Sequence, residues 1–510
     1  MGTLAQDLLA GGFELRETHI SWVFLGPERV YKVKKPVGLG FLDFRTLALR
    51  RAACEAELRL NRRLAPDVYV GLVPITRDAA GRHVLGGAGE PVDWAVDMRR
   101  LPDADAAQAR LAAGTLGHGD VQRVAEHLAR FHATASVNAE TASFGAPAVI
   151  RHNATENFDQ TRTSAPRYLE PAALAEIERW QLGFIDTHAA LFERRMAEGR
   201  VRDGHGDLRL EHVYLDARGG IQIIDCIEFN QRFRYADVCA DLAFLSMDLT
   251  WHDAPLLSEA LLAAYARASG DWELYTLVDF YESYRATVRG KVSAFLADDA
   301  GAAPALRQRA DRDARKYLLL AQACEREPIA RPVVYAVGGL IASGKSTLAA
   351  ALSAATGAPV VDTDHARKEL AGVAPTTPLS DRPFAGAYTQ AATDKVYAEA
   401  MRRAGLVLAS GRPVILDASF RSHAMRARAS ELARAHGVEL RLVECRVPAT
   451  VARARLVERA KGPSVSDGDL SAYEALARAW EPITDLEPAH HLVIDTTRPL
   501  SESVAAVLRT

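Results

Sequence analysis

The chain has 510 residues, 48% hydrophobic and 25% charged, with a formal net charge of -3; this length exceeds one ordinary hydrophobic core and predicts a soluble globular protein of two or more domains. From residue 329 onward there are 22 Lys plus Arg against 19 Asp plus Glu, and before it 40 against 46, so neither part has the basic excess expected of a nucleic-acid partner. Apolar runs long enough to span a membrane, a signal peptide at the N-terminus and CxxC spacing among Cys54, Cys226, Cys239, Cys324 and Cys445 are all missing, which predicts a cytoplasmic protein without membrane partner, disulfide framework or structural zinc, its cysteines buried as thiols.

From the N-terminus, Val30-Tyr31-Lys32-Val33-Lys34-Lys35 reads as a strand whose period of two puts Lys32 and Lys34 on one face. A helix over 51–64 follows and offers Glu55 and Glu57. An ion pair across these elements would set a lysine on the α and β phosphates of a nucleotide; Lys32 with Glu57 is the favoured pair, and Lys34 stays open as the alternative. Residues 104–113 are Ala-rich and read as helix. Further on, Gly204-His205-Gly206-Asp207-Leu208 precedes the apolar run Ile221-Gln222-Ile223-Ile224-Asp225, so two acids stand 18 residues apart on either side of a predicted hairpin. That spacing fits a catalytic loop followed by a metal-binding acid. Asp207 would orient and deprotonate an acceptor hydroxyl, and Asp225 would hold magnesium on the nucleotide phosphates. A helical pattern over 302–326 (Leu306, Ala310, Ala314, Tyr317, Leu318, Ala321) ends at Glu327-Pro328. The boundary is placed there, giving domains 1–329 and 330–510.

The second domain opens with the apolar strand 333–337, which runs into Gly338-Gly339-Leu340-Ile341-Ala342-Ser343-Gly344-Lys345-Ser346-Thr347. This is a GxxxxGKS phosphate loop. Gly339 and Gly344 let backbone N–H groups, with Ser343 and Thr347 beside them, turn inward on the phosphates of ATP; Lys345 reaches the β and γ oxygens and the Ser346 hydroxyl ligates Mg2+. Short apolar strands at 359–362, 413–417, 440–445 and 491–495 alternate with helical stretches, the pattern of a parallel, doubly wound α/β sheet. Asp417 ends one of these strands, where a metal-holding acid belongs. Asp364 could accept the proton of an acceptor hydroxyl, with Arg367 one turn later on the same side to bind substrate. Arg453, Arg455 and Arg459 are spaced so that at least two share a helix face and could stabilise transition-state charge.

These residues carry two resemblances. Residues 333–482 resemble the P-loop small-substrate kinases, which include gluconate kinase, zeta-toxin kinases, chloramphenicol phosphotransferase and the 5'-kinase of polynucleotide kinase. The resemblance implies Asp364 and Arg367 as base and substrate ligand, and Arg455-Leu456-Val457-Glu458-Arg459 as lid. Residues 1–329 resemble the aminoglycoside phosphotransferases, a two-lobed α+β protein-kinase-like fold, through Gly204 to Leu208, Asp225 and the Asp241-Leu242-Ala243 brace. Where that family has Asn as a second magnesium ligand this chain has His212, a poorer partner for a hard cation; one metal, or Glu211 or Glu228 in its place, are the alternatives. The expected activity is an ATP- and Mg2+-dependent phosphotransferase acting on a small hydroxylated molecule, with two kinase sites. The alternatives are a single P-loop kinase with an N-terminal binding or regulatory module, a polynucleotide 5'-kinase and a toxin-like kinase.

Overall fold

A computed structural model describes residues 3–18, 20–39, 42–216, 218–322, 329–379, 384–462 and 464–509. Its contacts divide the chain into two units, Met1–His252 with Phe280–Cys324, and Asp253–Asp279 with Glu325–Thr510. No helix among the described residues is long and apolar enough to cross a membrane.

In the first unit, β1 (Glu14–Glu17), β2 (Ser21–Leu25), β3 (Arg29–Lys34), β4 (Tyr69–Arg77), β5 (His83–Leu85) and β6 (Asp93–Arg99) form a sheet in the order β1-β2-β3-β6-β4-β5. Every neighbouring pair is antiparallel. Alternation along β3 sends Val33 to the face where Phe24, Ile75 and Ala95 pack, and Val30, Lys32 and Lys34 to the other. Helix α1 (Leu47–Asn61) covers that second face, with Cys54 in one cluster with Val30 and Val96. Two residues along a helix turn a side chain by roughly 200°. Glu57 is therefore buried toward the lysines while Glu55 pairs with Arg51 at the surface.

The helical part of this unit packs Phe158, Ile177, Phe244, Met247, Tyr317 and Leu318 into one cluster. It supports an antiparallel hairpin of β7 (Val213–Leu215) and β8 (Ile221–Ile223) and helix α2 (Val238–Trp251), buried from Val238 through Leu249. The helix expected over 302–326 spans Pro304–Ala321 and buries Ala310, Ala314, Tyr317, Leu318 and Ala321; Leu306 is instead 45% exposed. Its expected end and Cys324 lie outside the described residues, and the other four cysteines are buried free thiols.

The second unit is built on β9 (Val333–Gly338), β10 (Val360–Asp362), β11 (Val414–Asp417), β12 (Glu439–Arg446) and β13 (His491–Asp495), in the order β10-β11-β9-β12-β13 with every pair parallel. β9 is hydrogen-bonded on both edges and buried along its whole length, as a continuous apolar run in a covered parallel sheet should be. Tyr335, Ile415, Val443 and Ile494 pack against Leu348 and Leu352 of the helix that follows β9.

Helix α3 (Pro255–Ser269) belongs to this unit. The buried Arg412 binds Glu259 of α3 at 2.9 Å and Asp279 at 2.8 Å, and the Arg403 guanidinium lies 5.7 Å from the Trp272 ring centroid. The division expected near residue 329 puts Asp253–Asp279 with the first domain, whereas its contacts group it with the second.

Candidate functional site

Helix α4 (Lys345–Thr356) starts directly where the phosphate loop ends, with Gly344 at φ +90° as its N-cap residue. Gly339 stands at φ +138°, and a Cβ there would lie 2.5 Å from the Cys445 carbonyl oxygen and 2.7 Å from Ser343 Oγ. Gly339→Ala is expected to strain the loop by about 1–3 kcal/mol, seen as nucleotide binding weakened about 10-fold and a circular-dichroism melt lowered by a few degrees; unchanged affinity in a fluorescent-ATP titration would contradict it.

The Lys345 ammonium donates to the Leu340 carbonyl at 2.9 Å, across the loop. Ser346 hydrogen-bonds Asp417, whose carboxyl is pushed up to about 6 by burial, with Asp362 and Asp364 adding to the rise and Lys345 and Ser346 opposing it. Asp364 lies on α5 (Thr363–Leu370). Burial and then Asp362 raise its carboxyl, while Lys345, Ser466 and Arg367 pull the other way; a raised carboxyl is a stronger base near neutrality. Arg367, 8% exposed, lies 4.5 Å from the Tyr388 ring centroid and donates to the Ala387 carbonyl.

Of the lid arginines on α6 (Ala449–Arg459), Arg455 donates to the Ala342 carbonyl at 3.2 Å and the Thr496 carbonyl at 2.9 Å, bracing the phosphate loop. Arg459 donates to the Gly468 carbonyl, and both arginines line a cavity of about 880 Å3 together with Lys345, Ser346, Asp364 and Asp417. Gly344, Thr347 and Arg367 also line it. Arg453 does not; it pairs at the surface with Glu474.

In the first unit Glu57, fully buried, bridges both lysines, at 2.8 Å from Lys32 and 2.5 Å from Lys34. The two lysines then diverge. Lys32 reaches Asp225 at 2.5 Å, while Lys34, fully buried, pairs with Glu228. Glu228 is thereby committed to an ion pair in the interior, and Glu211 pairs with Arg209. Burial would push the Lys32 ammonium down, but Asp225, Glu57 and Glu228 outweigh it and hold its pKa well above the ordinary value. Burial likewise opposes the charge on Asp225, and Lys32 and His212 overcome it, keeping this carboxyl below the usual range. Asp225 adopts φ +65°, its N–H donating to the Tyr69 hydroxyl at 3.1 Å, so a non-glycine residue is held in left-handed backbone at the site.

Asp207 is clasped by Arg209 through two 3.0 Å hydrogen bonds. Its carboxyl lies below the usual range because Arg209, His212 and Arg289 together exceed the cost of burial. His212 Nδ1 lies 2.8 Å from the Asp207 carbonyl, and its Nε2 lies 3.6 Å from Asp225 Oδ2. Asp241 accepts from the backbone N–H groups of His205 at 2.6 Å and Gly206 at 2.8 Å, tying the loop to α2.

His205 is the loop's titrating anchor. Its Nδ1 accepts from the Asp207 N–H at 3.3 Å and its Nε2–H donates to the Ile224 carbonyl at 3.0 Å, so the ring is folded in neutral, and burial lowers its pKa to about 4. The unfolded chain protonates this ring below about pH 6.5, so the stability it confers is complete above that pH and is lost as pH falls toward 4, about 3 kcal/mol in all. Urea unfolding from pH 7 to pH 4.5 should show this fall in wild type and a flatter profile in His205→Gln; parallel profiles would contradict it.

Several neighbours carried no sequence signal. Arg267, Tyr388, Asp467 and Thr496 line the P-loop cavity from segments remote in the chain. Arg209 did stand in plain view beside Asp207.

Residues 29–280 match the model of the phosphotransferase enzyme family, and residues 334–483 match that of an AAA domain. Uncharacterized proteins of Mycobacterium tuberculosis and Mycobacterium bovis are 35% identical over 493 residues, covering 96% of this chain and 94% of theirs. Among solved structures, a gluconokinase from Sinorhizobium meliloti is similar at 20% identity over 36% of this chain and 92% of its own, with a TM-score of 0.26. A choline/ethanolamine kinase family protein from Mesorhizobium loti is similar at 14% identity over 61% of this chain and 92% of its own, with a TM-score of 0.37.

Proposed function

The chain belongs to the same family as those mycobacterial proteins and is a two-domain kinase, a phosphotransferase-family domain followed by a P-loop kinase domain; from this premise we propose that it transfers the γ-phosphoryl group of ATP to a hydroxyl of a small molecule, such as a sugar, aminoglycoside or nucleoside-like compound, in the cytoplasm. One observation supports this most: Lys345, Ser346, Asp417, Asp364 and Arg459 converge on a single cavity of about 880 Å3.

In this reading the loop N–H groups and Lys345 bind the phosphates, Asp364 takes the acceptor proton, Arg367 holds the acceptor, and Arg459 faces the charge that develops on the transferred group. The donor set fits a hard divalent cation, since the buried Asp417 carboxyl, raised to about 6, and a serine hydroxyl offer oxygens that gain from positive charge. Ser346 and Asp417 would hold magnesium, which supplies neutralisation of phosphate charge when bound with the nucleotide.

The first unit is proposed as a second kinase site, with Lys32 on the phosphates, Asp225 as the metal acid, His212 Nε2 as a nitrogen donor beside it, and Asp207 on the acceptor hydroxyl. A binding-module reading of this unit draws support from the Arg209 clasp on Asp207, which an acceptor must displace. Calorimetry with AMP-PNP and magnesium separates the two. Two nucleotides per chain, falling to one in Lys345→Ala, are expected; one nucleotide, lost entirely in Lys345→Ala, would remove the second site.

A further inference from the structure

Arg267 closes helix α3, in a segment that lies within the 29–280 phosphotransferase-family match and outside the 334–483 match of the P-loop domain. The structure nevertheless groups this segment with the P-loop unit. Its attachment is close and polar: Arg412 binds both Glu259 and Asp279, and Gly357, which ends α4, approaches α3 so nearly that a Cβ there would lie 3.0 Å from the Glu259 Cβ.

This docking brings Arg267 to the wall of the cavity that holds Lys345, Asp364 and Arg367. The Arg267 side chain is 45% exposed, and its nearest carboxylate, Asp362, is 3.4 Å away. Asp362 already accepts from the His365 backbone N–H at 2.7 Å and from His365 Nδ1 at 2.9 Å. Arg267 Nη2 lies 3.0 Å from His365 Nδ1 and 3.3 Å from its Nε2. One ring nitrogen and one shared carboxylate leave most of the five guanidinium N–H donors free for a ligand. Arg367 adds a second cation with a donor to spare, as its buried Nε has no hydrogen-bond partner among the described residues; its guanidinium lies over a ring and donates to a carbonyl, and its charge also reaches the Asp364 carboxyl.

We propose that Arg267 is a specificity-determining residue of the P-loop kinase and, with Arg367, binds an anionic group, phosphate or carboxylate, on the acceptor. The proposal rests on the P-loop kinase reading and extends it to the charge of the substrate. It also makes the P-loop site dependent on a segment that lies outside the 334–483 match. A planar, permanently charged fork suits either oxyanion.

The test uses the full chain saturated with AMP-PNP and magnesium, so that the γ-phosphate position is filled, and titrates inorganic phosphate or, separately, malonate by calorimetry. At least one of these anions is expected to bind wild type, to weaken 10-fold or more in Arg267→Ala and to recover in part in Arg267→Lys, with AMP-PNP affinity and the thermal midpoint unchanged. Which anion responds distinguishes a phosphorylated from a carboxylated acceptor. Absence of binding by both, equal binding in Arg267→Ala, or loss of AMP-PNP affinity in that variant would overturn the proposal. If wild type fails to bind AMP-PNP at all, the kinase reading falls first and this inference with it.

Discussion

Lys345→Ala is expected to lower γ-phosphoryl transfer at the P-loop site by about 10²–10³-fold in kcat/KM, the cost of losing one preorganised charge aimed at the transferring group. The ammonium lies inside the loop, 2.9 Å from the Leu340 carbonyl, and acts on more than the phosphates. It is the largest influence opposing the rise of Asp417. Without it, burial pushes Asp417 still further toward its protonated form, so the same substitution should also weaken magnesium-dependent nucleotide binding. Lys345 is half-buried at the first position of α4 and its side chain supports no core contact of that helix, so the melting temperature should be nearly unchanged. Full transfer activity in Lys345→Ala would contradict the assignment.

Glu57→Gln is expected to destabilise the first unit by about 1–3 kcal/mol, the range for losing charge-assisted contacts of one buried carboxylate while each lysine keeps another. Glu57 is fully buried and is the carboxylate shared by Lys32 and Lys34. Its loss leaves a fully buried Lys34 with Glu228 as its remaining ion-pair partner, and Lys32 with Asp225 as its own. An amide of the same shape keeps the packing, so the effect isolates charge rather than a cavity. Urea unfolding reads it directly; a loss below about 1 kcal/mol would place Glu57 among solvent-screened pairs instead. Nucleotide binding at this unit should weaken in the same variant, because Lys32 loses the tether that holds it beside Asp225.

The fold and the residues of the P-loop site were legible in the sequence for a local reason. Strand, loop and helix are contiguous there, so the spacing from Gly339 to Ser346 already fixes where backbone donors and the lysine stand. Asp417 was legible because it ends an apolar strand parallel to β9. The Lys32 and Lys34 alternative was not decidable, since period-two alternation puts both on one face, and only the approach of Asp225 from 193 residues away separates them. The roles of the lid arginines were obscured for a related reason. Helical spacing says which residues share a face, but whether a guanidinium meets a loop carbonyl, as Arg455 does, or a surface carboxylate, as Arg453 does, depends on segments remote in sequence. Arg267 was invisible on the same grounds: α3 packs on a unit that begins more than 50 residues later, and composition marks no boundary around Asp253–Asp279.

The central claim is that two kinase sites share one chain, and phosphate transfer from γ-labelled ATP tests it most directly. Wild type, Asp207→Ala and Lys345→Ala are assayed in parallel with magnesium against sugars, aminoglycosides, nucleosides and a 5'-hydroxyl oligonucleotide. The account predicts label on small acceptors, none on the oligonucleotide, and the loss of a different product or position in each variant. Activity that disappears in Lys345→Ala and is untouched in Asp207→Ala would contradict it, leaving one kinase and an N-terminal binding module.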